Sequence, residues 1–288
     1  MGTSWSVQIV DPPEGCIVAI EAVLTRIIDQ MSNWEAGSAI SRFNHAAVGE
    51  WMPLPADMMS VLHAGLEMAR LSDGAFDPAI GRLVDRWGFG PGLSPAAYYA
   101  VAAPWRCIEV ERGQARRTAD VALDFSGIAK GFAVDAVAQS LRDRGADNFL
   151  VEIGGELRGE GIKPDMQPWW VDVEAPPDLV VPTLRIALCD LAVATSGDYR
   201  RFRFEDGARL SHSIDPMTRA PIRGGVASVT VLHDSAMLAD AWATAITVMG
   251  PDQGMQLATR HGLAARLVLR TETGAQEYMT PMLAAMLA

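Results

Sequence analysis

The feature that most constrains this chain is a series of short apolar or alternating runs, each long enough only for a strand. They are Cys107–Glu111, Ala115–Thr118, Val121–Phe125, Asn148–Ile153, Trp169–Glu174, Leu184–Leu188, Arg201–Glu205, Ala208–His212, Val226–Leu232 and Ala265–Leu269. Turn residues join two pairs of them: Arg112-Gly113-Gln114 and Asp206-Gly207 both read as hairpin connections. Helical spacing interrupts the strands irregularly. Residues 16–31 carry Ile20, Val23, Leu24, Ile27, Ile28 and Met31 on one face; 56–72 repeat this with Met59, Leu62, Leu66 and Ala69 before Gly74. Residues 131–145 align Val134, Val137 and Leu141 and close on Gly145. The regular strand–helix alternation of a parallel sheet is missing, so the expectation is an α+β fold with a largely antiparallel sheet and packed helices. Loops gather at 88–95 and 154–168, with proline-rich stretches at 164–168 and 175–182. None resembles a domain linker, so residues 1–288 read as a single compact unit, of one lobe or two.

Charge narrows the partners. With 24 basic and 35 acidic residues the formal net charge is −11, which argues against nucleic acid, whose phosphates need a basic face. Only two of the basic residues are lysines, Lys130 and Lys163. A chain 49% hydrophobic and 20% charged folds rather than staying disordered. Cys16, Cys107 and Cys189 are odd in number and widely spaced, so neither a zinc cage nor a disulfide framework is expected. The apolar windows 16–28 and 235–249 contain Glu21, Arg26 or Asp240 and are too short to span a membrane. The first residues lack the basic and apolar regions of a signal peptide, so the sequence as written reads as cytoplasmic.

Four constellations carry candidate chemistry. From Leu123 to Asp135 a strand ends in a small-residue turn, Ser126-Gly127-Ile128-Ala129, and a helix opens with Lys130. Backbone N–H groups there, with the helix dipole, suit an anion; the plainer reading is an ordinary strand–helix connection with a solvated lysine. Asp240 and Thr244 stand at i and i+4, one helix face offering hard oxygen ligands for Mg²⁺, or else a structural carboxylate bonded to a nearby turn. Thr195-Ser196-Gly197-Asp198-Tyr199 precedes Ser211-His212-Ser213-Ile214-Asp215-Pro216, in which His212 is a general base, a phosphate donor or a packing residue. Gly74-Ala75-Phe76-Asp77-Pro78, with Trp87-Gly88-Phe89-Gly90 and Trp34, offers aromatics for a planar ligand or for the core.

Taken in order, from Met1-Gly2-Thr3 through Ser38–Asn44, Gly74–Pro78, Asp124–Gly131, Gly154-Gly155, Thr195–Tyr199 and Ser211–Pro216 to Asp240 and Thr244, the segments closely resemble the FAD:protein FMN transferases, the ApbE-type flavin transferases. The resemblance implies an α+β fold of T-fold type, FAD as substrate and a Mg²⁺ cofactor, with Mn²⁺ the other candidate. It implies transfer of FMN from FAD onto a threonine hydroxyl of an acceptor protein carrying a flavinylation motif, with release of AMP. Carried over, it sets FAD against Met1, Gly2, Thr3, Trp34, Ala75, Phe76, Asp77, Asp124, Lys130, His212 and Ile214. It sets the metal on Asp240, Thr244, Gly127 and Ala243, and makes Asp240, His212 and Lys130 the catalytic set, with Asp240 or His212 taking the hydroxyl proton.

The chain departs from the family in a few places. Asp124-Phe125-Ser126 stands where Asp-Leu-Gly is common, and Arg219 replaces the glycine of an Asp-Pro-x-Thr-Gly turn. Trp34 replaces the tyrosine of many transferases and the asparagine of some FAD-hydrolysing relatives. Many relatives are exported and lipid-anchored. The alternatives are an FAD pyrophosphatase of the same fold and a non-catalytic FAD carrier.

Overall fold

The computed structural model describes residues 2–92, 101–200, 202–205, 208–223 and 225–288. Met1, the Asp206-Gly207 turn and the end of the 88–95 loop lie outside the described residues. The helices are α1 (Cys16–Met31), α2 (Ala39–His45), α3 (Ala56–Leu71), α4 (Gly81–Arg86), α5 (Ala129–Arg142), α6 (Ala236–Arg260) and α7 (Pro281–Met286). The strands begin with β1 (Trp5–Ile9), β2 (Met52–Pro53), β3 (Ile108–Glu111), β4 (Gln114–Arg117), β5 (Phe149–Ile153) and β6 (Glu156–Glu160). They continue with β7 (Trp169–Val173), β8 (Leu184–Leu188), β9 (Leu191–Gly197), β10 (Phe202–Glu205) and β11 (Ala208–Ser211). The last are β12 (Ile214–Asp215), β13 (Ala220–Pro221), β14 (Val226–His233), β15 (Ala264–Thr271) and β16 (Gly274–Met279).

Seven strands form the main sheet in the order β1-β5-β6-β9-β14-β15-β16, and every neighbouring pair is antiparallel. This is the α+β, antiparallel arrangement that the irregular strand spacing predicts. β14 is central and buried from Val226 to Leu232, which is why its sequence is an apolar run without alternation. Helices α5 and α6 lie on one face of the sheet, and α1 packs on α5 through Ile20, Val23, Leu24 and Ile27 against Val134, Val137 and Leu141. The opposite face is covered by the β7–β8 hairpin and α7, with Trp169, Ile186, Leu188 and Leu283 against Leu150, Val193 and Leu232. No helix among the described residues is long and apolar enough to cross a membrane.

Sequence and structure diverge at a few elements. Val121–Phe125 is not a strand: only Ala122 makes a bridge, to Ile80. The Asn44 side chain takes both backbone groups of Leu123, and Asp124 N–H donates to the Pro78 carbonyl, so the segment meets its hydrogen-bonding needs without a ladder partner. The expected 154–168 loop contains β6, whose polar positions, Glu156, Arg158 and Glu160, are held in ion pairs rather than in solvent. The third helix starts at Ala129, and Gly145 makes the turn after it at φ 84°. Arg112 and Gly113 both have positive φ, as a two-residue hairpin loop requires.

The contact that positions the site is between α5 and α6. Asp135 of α5 accepts hydrogen bonds from Ala236 N–H (3.0 Å), Met237 N–H (3.0 Å) and Ser235 Oγ (2.7 Å), satisfying donors at the start of α6. In return, Asp240 of α6 accepts from Gly131 N–H at 3.1 Å, in the first turn of α5. Each helix caps the other. The approach is close enough that a Cβ on Gly131 would lie 2.1 Å from the Ala236 carbonyl oxygen and 2.8 Å from Met237 Cα. Both obstacles are backbone. Gly131→Ala is therefore expected to destabilise the fold by about 3 kcal/mol or more, read as a lower urea midpoint; an unchanged midpoint would show that the helices separate freely.

Candidate functional site

The first cluster forms where α5 and α6 begin. Asp240 is 3% exposed. Its Oδ2 accepts from Gly131 N–H, and its Oδ1 lies 3.9 Å from the Lys130 ammonium. Lys130 also forms an ion pair with Glu156, the first residue of β6 and 1% exposed. Burial raises the pKa of Asp240, against the opposing effects of Lys130 and the Gly131 N–H. Burial likewise raises Glu156, to about 7. Burial alone would lower the lysine, but Asp240 and Glu156 outweigh it and the net shift is upward. Two carboxylates thus share one ammonium.

Thr244, one turn after Asp240, has its Oγ1 3.1 Å from Ser196 Oγ at the end of β9. A Cβ on Gly127 would stand 2.7 Å from that same Thr244 Oγ1, so the Gly127 backbone lies directly against the hydroxyl. Gly127 thus lies against Thr244, which stands one turn of α6 after Asp240. Ala243 does not join them in the same way. Its carbonyl lies within α6 and accepts from Thr247 Oγ1 at 2.7 Å. The expected cradle of backbone donors at residues 124–131 is also largely engaged internally. Ile128 and Ala129 N–H donate to the Phe125 carbonyl and Gly131 N–H to Asp240. The charge available at this turn is the Lys130 side chain, 30% exposed.

The Gly154-Gly155 turn adds the N-terminal motif. Gly154 N–H donates to the Ser4 carbonyl, and a Cβ on Gly154 would lie 2.8 Å from Thr3 Oγ1 and 3.3 Å from Lys130 Cδ. Gly2 and Thr3 line a cleft of about 500 Å³ against Glu21, Leu24, Thr25 and Ile28 of α1. Arg200 donates to the Gly154 carbonyl at 2.7 Å and pairs with Glu174.

A second cluster gathers the aromatic and Asp-Pro segments. Ile214 is buried with Leu83 and Val84, and Trp87 and Phe89 pack on them. The Phe89 and His212 rings meet edge to face at 6.4 Å. Trp87 Nε1 donates to the Arg219 carbonyl, joining the Trp-Gly-Phe segment to the Asp-Pro turn. Phe76 is buried in the main core, and Ala75 beside it is half-buried. Asp77 is buried, with its two oxygens accepting from Ala79 N–H (2.8 Å) and Trp105 N–H (3.1 Å). It organises the loop. Burial raises its pKa to about 7, against those two hydrogen bonds.

Asp124 links the clusters: its N–H holds Pro78, while its carboxylate accepts from Ser126 N–H and Oγ. Trp34 is 60% exposed next to Asn33, whose amide donates to the Leu123 carbonyl. Sequence reasoning missed Glu156 and gave Ser196 no role. The available signal was that a lysine turned inward, in a chain with only two, needs a counter-ion.

Arg219 keeps the turn geometry of the glycine it replaces: its φ is 60°, and its N–H donates to the Asp215 carbonyl at 2.7 Å. Arg219→Gly should relieve left-handed strain and, after the extra unfolded-state entropy of glycine, stabilise by about 0.5 kcal/mol. Chemical denaturation measures this, and a loss of stability would contradict it. Because its folded value lies above the ordinary 3.8, Asp77 contributes stability that is complete below 3.8 and lost as pH rises through about 7. Asp77→Asn should therefore reduce the fall in unfolding temperature across that window in calorimetry, whatever its effect on absolute stability.

The sequence and the fold match known proteins. The ApbE family profile fits residues 1–267. Proteins named FAD:protein FMN transferase are 35% identical in Haemophilus influenzae, covering 95% of this chain and 86% of the relative, and 34% identical in Vibrio cholerae, covering 96% and 88%. The crystal structure of the Pseudomonas stutzeri flavinyl transferase ApbE superposes with a TM-score of 0.90 at 35% identity, covering 99% of this chain and 94% of that one. With the profile spanning most of the sequence and the fold matched from end to end, the chain belongs to the ApbE family.

Proposed function

We propose that this chain is an FAD:protein FMN transferase that moves FMN from FAD to a threonine hydroxyl of an acceptor protein and releases AMP, with Mg²⁺ or Mn²⁺ as its metal. The observation that carries the reading is the convergence of Asp240, Thr244, Gly127 and Lys130 at the crossing of α5 and α6. These residues fit a hard cation. Carboxylate and hydroxyl oxygens share one helix face, the Gly127 backbone lies against the hydroxyl, and the buried Asp240 carboxylate has lost the solvation that a cation would replace. Asp240, Thr244 and the Gly127 carbonyl would hold the metal, which when bound would neutralise charge on the phosphates being transferred.

The protein's own part is positioning. Lys130 meets negative charge on the departing AMP as the threonine oxygen forms its bond to the FMN phosphorus and the phosphorus–oxygen bond to AMP breaks. The hydroxyl proton passes to His212 or Asp240. Trp34, exposed beside the Asn33 amide that bonds to the Leu123 carbonyl, would cover the flavin ring.

The test incubates the protein with FAD, Mg²⁺ and a threonine-containing acceptor. Covalent flavin on the acceptor, with AMP released in equal amount, is the expected result. Free FMN and AMP would instead indicate hydrolysis, and intact FAD a carrier. Asp240→Ala should lower Mg²⁺-dependent transfer by about 100-fold or more; AMP release at the native rate would overturn the metal assignment.

A further inference from the structure

Glu156 is a carboxylate enclosed by protein. It is 1% exposed, at the first position of β6, where the Gly154-Gly155 turn delivers the chain into the sheet. One of its oxygens pairs with Lys130. The other is buried and has no hydrogen-bond partner among the described residues. A buried carboxylate left half-satisfied costs free energy, so stability alone does not account for it.

Its position relative to Lys130 does. The lysine leaves α5 and passes the Gly154 turn, where a Cβ would come within 3.3 Å of its Cδ. Its ammonium then stands between Glu156 and Asp240, with 30% of the side chain exposed. A lysine has four rotatable bonds, and without a fixed anion it would turn into solvent. Asp240 at 3.9 Å is too distant for a hydrogen bond, so Glu156 supplies the short contact that fixes it.

We propose that Glu156 is a positioning residue of the transfer site, acting through Lys130: it holds the ammonium beside Asp240, at the place where charge develops on the leaving phosphate. This rests on the transfer reading above. Glu156 itself need not touch the substrate.

The two-lysine composition makes a direct test available. Acetylation of the folded protein by an amine-reactive ester, followed by peptide mass spectrometry, reports Lys130 with Lys163 as internal reference. In Glu156→Gln the unpaired ammonium should gain reactivity, raising the Lys130-to-Lys163 rate ratio by about fivefold or more, with Glu156→Asp in between. An unchanged ratio overturns the positioning role, and this readout needs neither FAD nor activity.

The kinetic arm is a double-mutant cycle. Glu156→Gln should lower kcat for transfer about tenfold and move the KM for FAD less than about threefold. In a Lys130→Met background the same change should cost less than about twofold. An equal tenfold loss in both backgrounds overturns action through Lys130. Should native protein form no covalent flavin at all, the transfer reading fails while the acetylation ratio still decides what Glu156 does.

Discussion

The site depends on two helices that cap each other. Asp135 closes the start of α6, and Asp240 reaches back to the first turn of α5. Neither exchange is available unless the backbones approach to the distance that Gly131 permits. That approach sets where Lys130 leaves α5 and where Asp240 and Thr244 face. A structural contact and a chemical site therefore use the same carboxylate.

Electrostatics builds on this frame. A chain of net charge −11 attracts no anion through its overall field. Any attraction must be local, and the local balance is unusual: one ammonium between two buried carboxylates. The cluster is short of positive charge while both carboxylates are ionised. Burial raises the pKa of each carboxyl group, and Lys130 between them works the other way.

Much of this was readable in advance, for identifiable reasons. α1 was legible to its ends because Ile20, Val23, Leu24, Ile27 and Met31 recur at helical spacing on its buried face. β14 was legible because a central strand is apolar throughout. β6 was not: its charged residues look like loop until their partners on α5 are known, and those lie far away in sequence. Val121–Phe125 looked like a strand because its side chains are buried, yet its backbone bonds to Asn44 and Pro78. In the site, spacing identified Asp240 with Thr244, since i and i+4 share a helix face. It could not find Glu156, whose meaning comes wholly from contact with Lys130. Nor could it tell that the Ala243 carbonyl is engaged by Thr247, a detail of local helix bonding.

The place of β1 in the sheet has a consequence for synthesis. Among the described residues β1 is an edge strand paired with β5 alone, with Trp5 opposite Ile153 and Ile9 opposite Phe149. A ribosome makes β1 well before it reaches Ile153 and the rest of β5. Through the intervening elongation the strand leading out of Gly2 and Thr3 has no ladder to join, and its backbone groups are open to any other extended segment. β1 is thus translated well before the strand that gives it its place in the sheet. A crowded cell would meet this chain with that edge bare.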